Sequence, residues 1–402
     1  MSEFAVTVER IRAIEPIPDA DKIELAVIGE YRSIVAKGAF KPGDLAVYIP
    51  EGSVLPEWLI EKLNLVGKLS GGQKNRVKAI KLRGCLSQGI LYPVIKEKYN
   101  FAVEGETVYE NGKFVSMREL RVDRKDKIEG LKVTAFLGIK KYDPMEAMDA
   151  NQRRRMHGEC AYIPGKTVKY DFENWKKYPN IFADGDEVVI TEKLHGTMCC
   201  FAYYPGLNHP ELPDDVFVYS KGLGASGQVF KWNEANAENL YLKAFKALAR
   251  ESSLAETVIE RLAEALYDLG HAPPETPVFL FGEVFGRGVQ DLGYGHDTPA
   301  FRAFDVWVGD PQTGRFIDAV DKYTLFAAAD IPAVPVLYQG PFSREALFLH
   351  TDGLTSFGGV NIREGVVVTS AREEWINRFG RKIAKNISGD YLTRKGSVTE
   401  FA

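Results

Sequence analysis

Over the first third of the chain, apolar and polar residues alternate in short runs: FAVTVERIRAI, IELAVIGEYRSIVAKG, GDLAVYIP and NRVKAIKLRG. A period of two puts alternate side chains on opposite faces, the pattern of half-buried strands. Pro16, Pro18, Gly29, Gly38, Pro42 and Gly43 fall between the runs and mark turns. Strands this short and this evenly spaced predict a small closed β-barrel of OB type, with a sandwich of similar size as the alternative.

From residue 111 to 185 the text is mixed and charged, with NQRRRMHGE and KYDFENWKKYP, and reads as a connector leading into a second domain. Strand-like runs return from Gly185. A segment rich in Ala, Leu, Glu and Lys, Glu234 to Leu269, predicts helix. The apolar runs VFLFGEVFG, FRAFDVWVG and REGVVVTS follow. There is no internal repeat and no low-complexity tract.

A chain of 402 residues, 45% of them hydrophobic, has material for more than one core. The formal net charge of −4 provides no global basic field, so a nucleic-acid site would have to be a local patch. Cys85, Cys160, Cys199 and Cys200 lack CxxC spacing, which fits neither a disulfide framework nor zinc and points to a reducing, cytoplasmic setting. The opening MSEFAVTVERIRAIEP lacks the basic-then-apolar form of a signal peptide. No uncharged apolar run reaches the roughly 18 residues that a membrane helix needs. None of the six histidines pairs at HxxxH or HExxH spacing.

Two local matches fail on context. LSGGQ (69–73) is the signature of ABC-type ATPases, but no P-loop accompanies it, since Cys160 stands where the first glycine of the best candidate should be. A glycine-rich hairpin loop explains it better. GLGASG (222–227) fits GxGxxG without a repeating βαβ pattern around it and reads as a loop.

The stretch VVITEKLHGT (188–197) carries Lys193 at the end of an apolar run, three residues before Gly196. In strand phase Val189, Thr191, Lys193 and His195 share one face, and Gly196 permits a tight turn or a close approach. Lysine becomes a nucleophile when neighbouring cations or desolvation depress its pKa. Attack on a phosphate also needs carboxylates for a divalent metal and cations for the phosphate oxygens. The chain supplies these downstream in order: Glu283 within FLFGEVFG, Glu364 ahead of the valines of REGVVVTS, then Lys382 and Lys385 in RKIAK.

This ordered set resembles the covalent nucleotidyltransferases, the superfamily of polynucleotide ligases and mRNA-capping guanylyltransferases. The matching segments are Lys193-Leu-His-Gly196, Ser220-Lys221-Gly222, Phe281-Gly282-Glu283, Phe304-Asp305-Val306, Glu364-Gly365-Val366-Val367 and Arg381 to Lys385. His195 stands where DNA ligases and capping enzymes usually carry Asp, and EKLHG is similar to RNA ligases. EPIPDADKIELAVI, KGAFKPGDLAVYIPEGSVLP and KAIKLRGCLSQGILYP resemble the N-terminal OB domain of the Deinococcus-type RNA ligases, with LGIKKYDP in the connector. The implied fold is mixed α+β: an OB-type nucleic-acid-binding barrel with its connector over 1–145, then an ATP-grasp-like nucleotidyltransferase domain of antiparallel sheets with flanking helices over 146–402.

The resemblance also implies roles. Lys193 would attack ATP to form lysyl-AMP, and His195 would act near the phosphates in later steps. Glu192, Gly196, Lys221, Glu283 and Phe304 would join Lys193 in binding ATP, with Phe304 stacking on adenine. Glu364, with Glu283, would hold Mg2+ or Mn2+, and Lys382 and Lys385 would contact the α-phosphate. The chain departs from the family at Lys221, where arginine is frequent, and at Met198, where asparagine is frequent. The expected partner is RNA or an RNA-containing nicked duplex, bound by a monomer with no protein partner and no membrane. Six basic residues and no acid lie between Lys68 and Arg83; Lys74, Arg76 and Lys78 alternate and, with Lys81 and Arg83, form a candidate phosphate-tracking patch, an exposed edge strand being the alternative. A DNA ligase, a capping enzyme or a binding protein with a decayed nucleotide pocket are the competing functions.

Overall fold

The computed structural model describes residues 4–97, 100–110, 113–123, 128–143, 156–248, 257–357, 361–377 and 379–395. Backbone contacts divide the chain into two units. One is Met1–Pro144 with Lys176–Pro179 and Leu392–Ala402; the other is Met145–Trp175 with Asn180–Tyr391. The expected boundary at 145/146 and the Arg153–Arg155 run lie outside the described residues.

The first unit is strand-built, as its alternation predicts. Thr7–Arg10, Leu45–Ile49 and Ile90–Pro93 form one antiparallel sheet, and Ala13–Pro16, Ile23–Ile28 and Tyr31–Ala36 another. Along Tyr31–Ala36, Tyr31, Ser33 and Val35 are buried, Arg32 and Ala36 are exposed and Ile34 is half-buried. Val6, Val8, Val47, Ile49, Leu59, Tyr92 and Val133 share its core. LSGGQ is the tight turn expected: Ser70 and Arg76 exchange backbone hydrogen bonds across it. The segment after residue 111 is less of a connector than its charge implies, because Lys113–Asp123 pairs along Asn100–Glu110 as a long antiparallel hairpin.

The second unit holds two five-stranded sheets. In the first, the order is Glu173–Asn174, Ile383–Ile387, Gly365–Ser370, Glu187–Lys193, Val336–Pro341, antiparallel apart from the first pair. In the second, it is Val216–Ser220, Thr197–Tyr203, Val278–Phe285, Ala300–Val308, Arg315–Phe316, antiparallel throughout. The helical prediction over 234–269 resolves into Leu240–Ala247, capped by the Asn239 side chain, and Val258–Asp268, opened by a Thr257–Glu260 capping box. Their apolar faces cover one side of the second sheet, packing with Phe201, Leu280 and Val306.

GLGASG is not a loop. Lys221–Ser226 is a short helix ended by Gly227 in the left-handed region. A Cβ at Gly224 would sit 2.4 Å from the Tyr219 ring, so packing accounts for that glycine. Among the described residues, no helix is long and apolar enough to cross a membrane.

Candidate active site

Strand alternation sorts the first sheet of the second unit into two faces. Val188, Ile190, Val366, Val368 and Ala384 pack with Trp175, Phe182 and Phe342 in a core. Thr191, Lys193, Val367 and Lys385 therefore project from the other face. Thr191 lies opposite Val367, and Val367 opposite Lys385, while Lys193 lies opposite Gly365. Lys193 and Lys385 thus share one face, two strands apart and one row displaced.

The Lys193 Nζ donates to Glu364 Oε1 at 3.1 Å, and the Glu364 side chain is 1% exposed. Gly365 lets that carboxylate sit where it does: its φ is +151°, and a Cβ there would lie 2.2 Å from the Asn386 carbonyl oxygen. Glu192 projects to the other face. Its carboxylate accepts from the Thr355 hydroxyl at 2.6 Å and the Ser356 N–H at 2.8 Å, with Arg363 at 3.8 Å. The structure does not bring that carboxylate beside Lys193.

The strand ends at Lys193, so His195 is not in phase with it. His195 sits in the following turn, buried, with both ring nitrogens engaged. Nε2 lies 2.8 Å from Asp291 Oδ1, and Nδ1 lies 3.0 Å from the Tyr391 hydroxyl. An ionised carboxylate only accepts, so a neutral His195 carries its proton on Nε2 and accepts from Tyr391 at Nδ1. The His195 backbone N–H donates to the Tyr294 hydroxyl at 2.7 Å. Tyr294 itself has a positive φ of 49°, a conformation an aromatic residue adopts only when its surroundings hold it. Gly196 is required for close approach, but of protein: a Cβ would lie 2.2 Å from the Val284 carbonyl oxygen and 2.9 Å from Glu283 Cγ.

Glu283 stands in the second sheet between Met198 and Arg302. One strand further, the register shifts between Phe281 and Gly282, which face Asp305 and Ala303. Phe304 is the extra residue of this bulge, a feature that re-aims a side chain. It is half-buried, its ring 5.2 Å from that of Tyr170. Below it, fully buried Asp305 accepts from both terminal nitrogens of Arg381 and from Tyr170, and Lys322 is 3.5 Å away. Burial alone would raise the Asp305 pKa, but the charges of Arg381 and Lys322 and the hydrogen bonds outweigh it and hold it below the usual value. Burial lowers the Lys322 pKa and raises that of Glu373, which also grips Arg381.

Lys382 lies outside this arrangement. Its ammonium is 2.9 Å from both Asp186 and Glu374 and stands over the Phe182 ring on the core side of the sheet. Lys221 is exposed and pairs with Asp171 at 2.7 Å. In the first unit, the alternation of Lys74, Arg76 and Lys78 is not that of one strand. Lys74 occupies a turn with φ of 53°, Arg76 lies 4.0 Å over the Tyr142 ring, and Lys78 donates to the Arg394 carbonyl. Lys81 and Arg83 are exposed on and beside the short Ile80–Leu82 strand.

Among the described residues no three His, Cys, Asp or Glu side chains converge as a metal cage. One or two carboxylates suffice where waters and substrate phosphates complete the shell, as magnesium prefers, and Glu364 and Glu283 provide that donor chemistry.

Residues 186–387, half of the chain, match the RNA ligase family, and residues 5–94 match an OB-fold domain. The chain belongs to the RNA ligase family and is an enzyme of that class. No curated protein sequence matches it. Among solved structures it is similar to a Naegleria gruberi RNA ligase mutant with ATP and Mn, at 21% identity and a TM-score of 0.67 over 97% of this chain and 98% of that one. A second mutant with AMP and Mn gives 22% and 0.67, with the same coverage. The form with PPi gives 21% and 0.66, again over 97% and 98%. At such identity the likeness establishes a shared fold, from the N-terminal OB domain through the paired sheets.

Proposed function

We propose that this RNA ligase uses ATP and a divalent metal to join 3′-OH and 5′-phosphate ends, acting on nicks in RNA-containing duplexes. The observation that carries the reading is the Lys193–Glu364 contact on the face that also bears Lys385. That the Naegleria ligase of the same fold is solved with ATP and Mn supports the choice of nucleotide and metal.

Lys193 is the nucleophile. Its neutral amine attacks the α-phosphorus of ATP, an N–P bond forms, the bond to pyrophosphate breaks, and the amine proton leaves. Lys385, on the same face, neutralises the α-phosphate oxygens. Phe304 offers its ring to the adenine. A metal held through Glu364 and Glu283 would supply charge neutralisation on the phosphates. The 5′-phosphate of the strand then attacks the lysyl-AMP and regenerates the amine. The 3′-OH next attacks the activated 5′-phosphorus and expels AMP. His195, fixed by Asp291 and Tyr391, orients groups in these later steps. Glu192 acts by anchoring residues 355–356, and Gly196 by letting the turn lie against Glu283. Lys221 contacts ATP from the short helix it opens, while Lys382, committed to Asp186 and Glu374, braces the sheet rather than the phosphate. Lys81 and Arg83, with Lys74, Arg76 and Lys78, follow the nucleic-acid backbone, so binding weakens with salt.

The test is incubation of the chain with α-labelled ATP and Mg2+ or Mn2+. Label on the protein that is absent from Lys193→Ala is expected; an unlabelled wild type with both metals would overturn the reading. A panel of RNA, DNA and mixed nicks then decides the strand preference, and sealing of DNA alone would reassign the substrate.

A further inference from the structure

Arg302 belongs to none of the motifs that mark the site, yet the strand register sets it directly beside Glu283. Met198, Glu283 and Arg302 form one cross-strand row. Arg302 is half-buried, and among the described residues its guanidinium makes no ion pair and no hydrogen bond. What it does meet is an aromatic surface: its Cζ lies 5.2 Å from the centre of the Phe357 ring. Phe357 in turn lies 5.6 Å from Phe285 and 5.8 Å from Tyr294, whose hydroxyl takes the His195 N–H. Burial pulls the Arg302 pKa down from its ordinary value, as expected for a cation withdrawn from water. A guanidinium remains charged regardless. A half-buried charge that makes no ion pair among the described residues is costly, and its planar fork of donors fits phosphate oxygens two at a time.

We propose that Arg302 is a phosphate-binding residue of this site, with Phe357 as the platform that holds its fork in place. The inference rests on the ligase reading and adds to it a receptor for a substrate phosphate. Two phosphates pass through such a site: the triphosphate tail of ATP, which leaves as pyrophosphate, and the 5′-phosphate of the strand.

The experiment uses the full chain with Arg302→Gln and Arg302→Lys, in two arms. The first arm follows labelling by α-labelled ATP and loss of the label on adding inorganic pyrophosphate. The second follows joining of a nick whose 5′ end already carries AMP, which bypasses ATP. A charge-assisted fork implies a loss on the order of tenfold or more for Arg302→Gln, with Arg302→Lys between it and wild type. Loss in the first arm assigns the triphosphate tail; loss in the second assigns the strand phosphate. Either supports the proposal. Rates within about twofold of wild type in both arms, for whichever variant keeps the wild-type melting temperature, would overturn it. Arg302→Lys keeps the charge and stem and provides that reading if Arg302→Gln does not fold. A wild type that takes no label sinks the ligase reading instead, so the two failures are distinct.

Discussion

Lys193 donates to Glu364 across 3.1 Å, from a lysine 15% exposed to a carboxylate that is 1% exposed. The pair joins the end of one strand to the residue preceding its neighbour, so strand register sets its geometry. Removing one partner of such a pair strands the other's charge, at about 3–5 kcal/mol for full burial. Lys193→Met strands the buried carboxylate and should cost more than Glu364→Gln, which leaves a lysine that keeps some solvent. Glu364→Gln should also destabilise, and the double variant should recover much of the loss. Urea unfolding of all four proteins measures this, and additive losses would mean the two groups are not coupled.

A second ion network gives a pH signature. Asp305 is fully buried against Arg381 and Lys322, and its pKa is held low. Its stabilising contribution is therefore complete above the unfolded-state value near 4 and is lost as pH falls through the folded one. Glu373 has the opposite sign. Burial raises its pKa, so the folded chain takes up that proton first and gains as pH falls toward about 4. The net loss on acidification should begin only below about pH 4. Asp305→Asn should be destabilised at pH 7 by about 3 kcal/mol or more and should show a shallower acid slope. Equilibrium unfolding from pH 3 to 7 checks both, and identical slopes would count against the network.

The parts of the site that lie within one motif were legible in the sequence, and those that join distant segments were not. Lys193, Glu283 and Glu364 could be picked out because each lies in or next to an apolar strand with a glycine one to three residues away, a placement that burial makes costly without a purpose. His195 could be picked out too, but not its surroundings: Asp291, Tyr294 and Tyr391 lie 96, 99 and 196 residues away. Phe304 was visible as an aromatic next to an acid, whereas the bulge that aims it depends on pairing with another strand. Arg302 was missed because its meaning comes from register with Glu283. The first unit's strands showed in their alternation. The hairpin after residue 111 did not, because in KFVSMRELRVD charged and apolar residues are mixed without a clean period of two.

His195 is held at three points, which makes its surroundings testable separately from the imidazole itself. Asp291→Asn replaces an acceptor-only group by one that can also donate, removing the bias that keeps the proton on Nε2. Tyr391→Phe removes the hydroxyl from Nδ1 and should cost about 1–3 kcal/mol, the range for a buried acceptor losing its donor. Labelling by α-labelled ATP should stay within a few fold of wild type for Asp291→Asn, while joining of pre-adenylylated nicks falls on the order of tenfold and shifts its pH profile. Equal loss in both steps, with an unmoved profile, would make Asp291 a structural prop.

Lys382 and Lys385 look equivalent in RKIAK, yet three residues is an odd step in a structure of period two. Lys385 lies in the strand opposite Val367, on the Lys193 face. Lys382 precedes that strand, on the core side, between Asp186 and Glu374. Burial works to lower the Lys382 pKa, but hydrogen bonds to Asp186 and Glu374 prevail and raise it, so this ammonium stays charged and committed at neutral pH. Lys385→Ala should therefore reduce labelling by α-labelled ATP on the order of a hundredfold, as expected when a cation is removed from a developing phosphate charge, with little change in melting temperature. Lys382→Ala should do the reverse, keeping most of the labelling and lowering the melting temperature by a few degrees through loss of a partly exposed ion pair. Labelling rates and thermal unfolding of the two variants, measured side by side, decide it. If Lys382→Ala loses labelling as deeply as Lys385→Ala while melting like wild type, the two lysines act on the phosphate together and the assignment by face is wrong.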